Sequence, residues 1–193
     1  RRANGLGARV SVSVSCSVPL RKVVAEAVPS RHDPVMFRPF RSFDLAVVQD
    51  LVAAAGMFTA EEVGFLEEEL PSVDPGSTRR GDAEPRCVVS TAGDEVVGVV
   101  YYRPEEAAEG VWDLTMIAVD PAHQGAGIGH ELLRHVEVTL AAQGARLLAV
   151  RTSGTTHYDG ARVFYERAKY DRAATVGDWW TDGDDLVLYV KRL

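Results

Sequence analysis

Hydrophobic and polar positions change rhythm repeatedly along the 193-residue chain, and each change marks an element. Residues 10–15 alternate Val and Ser with period two, the pattern of a half-buried strand. The stretch around them, residues 1–35, has no aromatic side chain and runs into Pro29 and Pro34. It is expected to be a poorly ordered extension that carries no chemistry, with the folded domain spanning residues 36–193. Residues 36–40 read as an edge strand, because Pro39 cannot donate to a central ladder. Leu45, Val48, Leu51 and Val52 follow helical spacing and stop at Gly56. Thr59, Ala60, Glu61 and Glu62 form a capping box that opens a second helix, ended by Pro71. Residues 72–85 read as a loop. Residues 86–90 and 95–102 form a hairpin, and residues 111–119 form a third strand beside it. Ile128, Leu132, Leu133, Val136 and Leu140 mark one face of an amphipathic helix that ends at Gly144. The apolar run at residues 146–151 is a buried strand. Its crossover helix predicts that it lies parallel to the strand before the turn. Ala161, Phe164, Tyr165 and Ala168 give a last helix, and two strands close the chain around a turn at residues 181–185. The order β-α-α-β-β-β-α-β-α-β-β predicts a mixed α/β sheet of six to seven strands, neither doubly wound nor all antiparallel.

Composition narrows the classes. Hydrophobic residues at 46% and charged residues at 25% are ordinary globular values, so disorder of the whole chain is excluded. No apolar run approaches the ~20 residues of a membrane-spanning helix. Two cysteines, Cys16 and Cys87, make neither a disulfide framework nor a zinc ribbon, and a reducing, cytoplasmic setting is expected. The formal charge is −7. Residues 1–35 hold six basic and two acidic groups, a net +4, which leaves −11 for residues 36–193. That balance argues against a nucleic-acid partner.

The richest stretch joins the third strand to the amphipathic helix: Ile117, Ala118, Val119, Asp120, Pro121, Ala122, His123, Gln124, Gly125, Ala126, Gly127, Ile128, Gly129, His130. Small residues between a strand and a helix let successive backbone N–H groups converge, and the helix dipole favours an anion there. A dinucleotide fingerprint needs a third glycine where His130 stands. A phosphate-binding NTPase loop needs a Lys-Ser or Lys-Thr that does not follow. The histidines match no metal-ligand spacing, and no metal is expected. No serine sits in a GxSxG elbow, so hydrolase chemistry has no support.

The run Gln124-Gly125-Ala126-Gly127-Ile128-Gly129 resembles the acyl-CoA signature of the GNAT N-acetyltransferase superfamily, Q/R-x-x-G-x-G/A. The preceding Ile-Ala-Val-Asp-Pro and the later Phe-Tyr-Glu-Arg helix resemble the same family, and the element order extends the likeness over about residues 36–193. The resemblance implies a sheet splayed between the strand ending at Val119 and the strand at residues 147–150. Backbone groups of Ile117, Ala118 and Val119 would pair with the pantetheine arm of acetyl-CoA. Gln124, Gly125, Ala126, Gly127, Ile128 and Gly129 would hold its pyrophosphate. Ser153, just after the buried strand, is a candidate either to hydrogen-bond the coenzyme or to start a loop. Tyr165 matches the tyrosine that faces the coenzyme sulfur, as general acid. Asp113, which period two puts on one strand face with Thr115 and Ile117, stands where some relatives place a glutamate as general base; water as the base, attraction of a cationic amine and pairing with an arginine stay open as alternatives. The acceptor pocket implied by the family nominates Phe58, Glu61, Glu62, Trp112, Trp179 and Trp180.

The expected function is acetyl transfer from acetyl-CoA to a primary amine of a small or amino-acid-like molecule, by direct attack in a ternary complex. A non-catalytic acyl-CoA-binding module, a peptide or protein acetyltransferase and a dinucleotide-binding enzyme stay open as alternatives. The partners expected are a small amine and a second copy of the chain in a homodimer, with neither nucleic acid nor membrane.

Overall fold

A computed structural model describes residues 35–56, 60–70, 84 and 86–193, with the side chains of residues 60–63 and 65 not described. The expectations for residues 1–34, for Phe58 and the Thr59 cap, and for the loop at 72–83 lie outside the described residues, as do those for the Glu61 and Glu62 side chains.

The elements follow the expected order: β1 (Val35–Pro39), α1 (Leu45–Ala54), α2 (Ala60–Glu69), β2 (Arg86–Ala92), β3 (Glu95–Pro104), β4 (Val111–Val119), α3 (Ile128–Ala142), β5 (Leu147–Ser153), α4 (Asp159–Arg167), β6 (Asp171–Thr181) and β7 (Asp184–Arg192). The seven strands form one sheet in the order β1-β2-β3-β4-β5-β7-β6. Every neighbouring pair is antiparallel except β4 and β5, which run parallel. Pro39 sits on the outer strand β1, where its missing N–H breaks no ladder.

Each face of the sheet has its own core. On one, Val48, Leu51, Val52 and Leu66 of α1 and α2 cover Val99, Tyr101, Met116 and Ala118. On the other, Leu132, Val136, Phe164 and Tyr165 of α3 and α4 cover Leu114, Ile117, Leu148 and Val150. Two irregularities of β4 matter most. Tyr101 stands opposite Met116 and Tyr102 opposite Leu114, so Thr115 is an extra, unpaired residue, a β-bulge. And β4 pairs with β5 only through Val111, Trp112 and Asp113, opposite Leu147, Leu148 and Ala149. Beyond Asp113 the two strands part, leaving the β5-facing edge of β4 from Leu114 to Val119 without a strand partner.

The bulge corrects one expectation. Asp113 and Ile117 do not share a face, because the extra residue reverses the alternation between them. Trp112, Leu114, Ile117 and Val119 all belong to the core under α3 and α4. Asp113 lies on the other face with Met116 and Ala118, and only Thr115 stays beside it, its hydroxyl donating to Asp113 Oδ2 at 3.2 Å.

Candidate active site

The site begins where β4 ends. Asp120 accepts from the Ala122 amide at 2.7 Å and closes the first turn after the strand. Gln124 folds back and donates from Nε2 to the Val119 carbonyl at 3.1 Å, so its side chain braces the loop and does not reach outward. Gly125 and Gly127 take φ of +78° and +91°, the left-handed region that glycine adopts without penalty. Gly127 is the N-cap of the 15-residue helix α3. The N–H groups of residues 125–129 meet no acceptor among the described residues. Five consecutive free amides at a helix N-terminus form an anion cradle, strengthened by the helix dipole.

From this cradle the gap runs down between β4 and β5 toward the paired residues Asp113 and Ala149. An extended ligand carrying amide groups can add to the open edge of β4 as a further strand. Tyr165, from α4, is fully buried, and its ring packs on Tyr170 and Tyr189 at 5.6 and 5.9 Å. Its hydroxyl finds no hydrogen-bond partner among the described residues. Burial, reinforced by the Asp113 charge, pushes this phenol well above its ordinary range, so it is protonated at neutral pH. Arg162 holds α4 to the end of β5, donating to the Ser153 and Thr155 carbonyls and to Asp159.

On the opposite face, where the strands begin to part, lies a cluster that sequence reading did not assemble. Asp113 is 5% exposed. Arg151 Nη1 stands 3.3 Å from its Oδ1, a contact without hydrogen-bond geometry, and Arg103 Nε stands 3.9 Å from its Oδ2. Arg151 also donates to Glu105. Burial pushes the Asp113 carboxyl up, opposed by Arg151, Arg103 and the Thr115 hydroxyl. The signal for this cluster was a lone arginine within Leu-Leu-Ala-Val-Arg-Thr and an aspartate within Val-Trp-Asp-Leu-Thr, since charges inside buried strands need partners.

Other nominated residues lie elsewhere. Trp112 is on the α3 and α4 face at the closed end of the gap, under the Arg86 guanidinium at 5.2 Å. There it lines a crevice of about 240 Å³ with Gly110, Gln143, Gly144 and Ala145. The sheet separates it from Asp113. Ser153 donates to Asp184 at 2.6 Å and pairs with Thr155 at 2.8 Å, which commits its hydroxyl to the β5–β7 end. Trp179 is 57% exposed and Trp180 half-buried on the outer strand β6, where pairing lapses between Val176 and Thr181. His130 is exposed and edge-on to Phe164 at 4.6 Å. Among the described residues no group of three His, Cys, Asp or Glu could hold a metal, and no helix is long and apolar enough to cross a membrane.

A seven-stranded mixed sheet parted beside a bulged strand, with a glycine turn at the mouth of the gap, is the arrangement that comparison with known proteins identifies. The sequence profile described as "Acetyltransferase (GNAT) family" matches residues 46–170. A GNAT-family protein from Desulfovibrio desulfuricans is 33% identical with a TM-score of 0.75, over 82% of this chain and 99% of that one. The ribosomal-protein-S18-alanine N-acetyltransferase of Escherichia coli shares the fold at 17% identity and a TM-score of 0.64, over 82% and 94%. So does the PaiA N-acetyltransferase of Thermoplasma acidophilum, solved with coenzyme A, at 16% and 0.64 over 83% and 99%. No curated protein sequence matches. The chain belongs to the GNAT acetyltransferase family.

Proposed function

We propose that the protein transfers an acetyl group from acetyl-CoA to a primary amine of a small molecule, both bound at once. The observation that carries this is the pairing of two unsatisfied features on the α3 and α4 side of the sheet: free amides at residues 125–129 and the orphan Tyr165 hydroxyl. A buried hydroxyl without a partner costs about 1–3 kcal/mol, which a ligand sulfur at that point would offset.

The thioester supplies an acyl carbon activated for attack. The cradle amides hold the pyrophosphate, and the open edge of β4 receives the amides of the pantetheine arm. The amine nitrogen forms its bond to the acyl carbon as the carbon–sulfur bond breaks. Tyr165 gives its proton to the departing sulfur and regains one from solvent. Asp113 Oδ1 is buried beneath Arg151, so the ammonium proton passes to water, and Asp113 serves as the fixed charge that positions Arg151. The exposed outer edge of β6, with Trp179, fits cover by a second copy of the chain, which sedimentation at micromolar concentration reads.

An acetyl-CoA-dependent thiol-release screen across amines, polyamines, aminoglycosides, amino acids and short peptides tests the reading. Release with at least one small amine supports it. Tight coenzyme A binding with no release for any compound would make the protein a binding module, and release with peptides alone would move the acceptor to that class.

A further inference from the structure

The cluster where β4 and β5 part lies at the acyl end of the gap, two residues from the Thr115 bulge. Its charges are unequal in what they leave free. Glu105 is engaged by Arg151. Asp113 is buried, with Thr115 on one oxygen and Arg151 against the other. Glu69, on the same face, accepts from the Tyr101 hydroxyl at 3.1 Å. Arg103 differs. It faces Asp113 across the β3–β4 ladder, its side chain is 41% exposed, and it donates no hydrogen bond among the described residues. Asp113 Oδ1 makes no hydrogen bond but is buried against Arg151, so among the described residues of this cluster the exposed unspent donor is Arg103, a guanidinium fork that matches a carboxylate in bidentate geometry.

We propose that Arg103 binds a carboxylate of the acceptor, so that the substrate is an amine that carries its own carboxylate, of the amino-acid class. Polycationic acceptors are disfavoured, because Arg103 and Arg151 would meet them with like charge, while among the described residues Glu105 is engaged and Asp113 is buried. The buried Asp113 charge fixes both arginines from below, and it is close enough to raise the proton affinity of Tyr165. The inference rests on the acetyl-transfer reading for its amine end, and the test separates the two.

Matched pairs that differ only in the carboxylate read it: L-phenylalanine with phenethylamine, L-lysine with cadaverine, and L-methionine with 3-(methylthio)propylamine. In at least one pair the amino acid should exceed its amine at least tenfold in kcat/KM for thiol release. In Arg103→Gln that ratio should fall to within about twofold, through the KM of the amino acid. Amines used as well as their amino acids in every pair, or a ratio that survives Arg103→Gln, overturn the inference. If no pair releases thiol, calorimetry of the same pairs on the coenzyme A-loaded protein judges the carboxylate alone, and the broad release screen judges the transfer reading. A binding preference lost in Arg103→Gln then upholds the subsite, and equal binding overturns it.

Discussion

At the scale of single residues, the Tyr165 hydroxyl and the Asp113 carboxyl each cost stability where they stand. The hydroxyl has no acceptor in the free protein, so Tyr165→Phe removes a desolvated donor without opening a cavity. The variant without ligand should be more stable by about 1 kcal/mol, a rise in Tm of about 2–4 °C by calorimetry. A fall in Tm would mean that the hydroxyl is already satisfied. For Asp113, a folded-state pKa raised by burial favours the protonated carboxyl. Its stabilising contribution is complete below the ordinary aspartate value near ~4 and is lost as pH climbs through the raised value. Asp113→Asn has no such loss, so urea melts from pH 4 to 6 should show stability shifting toward the variant as pH rises. A difference independent of pH contradicts the assignment.

At the scale of elements, α4 ends in a Schellman turn: the Tyr170 amide donates to the Tyr165 carbonyl at 3.0 Å, and the Lys169 amide to the Glu166 carbonyl at 3.0 Å. Lys169 takes φ of +66° there, where a Cβ costs about 1–2 kcal/mol. Lys169→Gly should therefore stabilise the fold by roughly 0.5–1 kcal/mol, after the entropy that glycine loses on folding. Calorimetry checks this, and a lower Tm would show that the lysine side chain contributes more than its backbone strain costs. Element order, the edge position of β1 and the glycine turn were all legible in the sequence, since amphipathic period and glycine punctuation are local signals. The bulge was not. Thr115 alternates like any strand residue, and only the shift from Tyr102–Leu114 to Tyr101–Met116 shows that Asp113 and Ile117 part company. Residue type alone also does not reveal that Ser153 donates to Asp184 and Gln124 to the Val119 carbonyl, because a hydroxyl or amide beside a turn reads alike whether it faces outward or braces the backbone.

At the scale of the molecule, the proposed coenzyme site joins the parted strands to the glycine turn, and binding there must appear as stability. Coenzyme A at 100 times its Kd should add about 2.7 kcal/mol, visible as a Tm shift that NAD at the same concentration does not give. A larger shift with NAD would return the glycine turn to the dinucleotide class. The proposed acceptor cluster was the least legible part, since Arg103, Asp113 and Arg151 come from three strands that only the sheet register brings together.

The central claim is that Tyr165 acts on the sulfur of a thioester held by the residue 125–129 amides and the open edge of β4. Turnover of Tyr165→Phe, measured beside calorimetric titration with coenzyme A, tests it most directly. The account predicts a loss in kcat of about 10²-fold or more with a coenzyme Kd within about twofold of the parent. Unchanged turnover at unchanged affinity would contradict it.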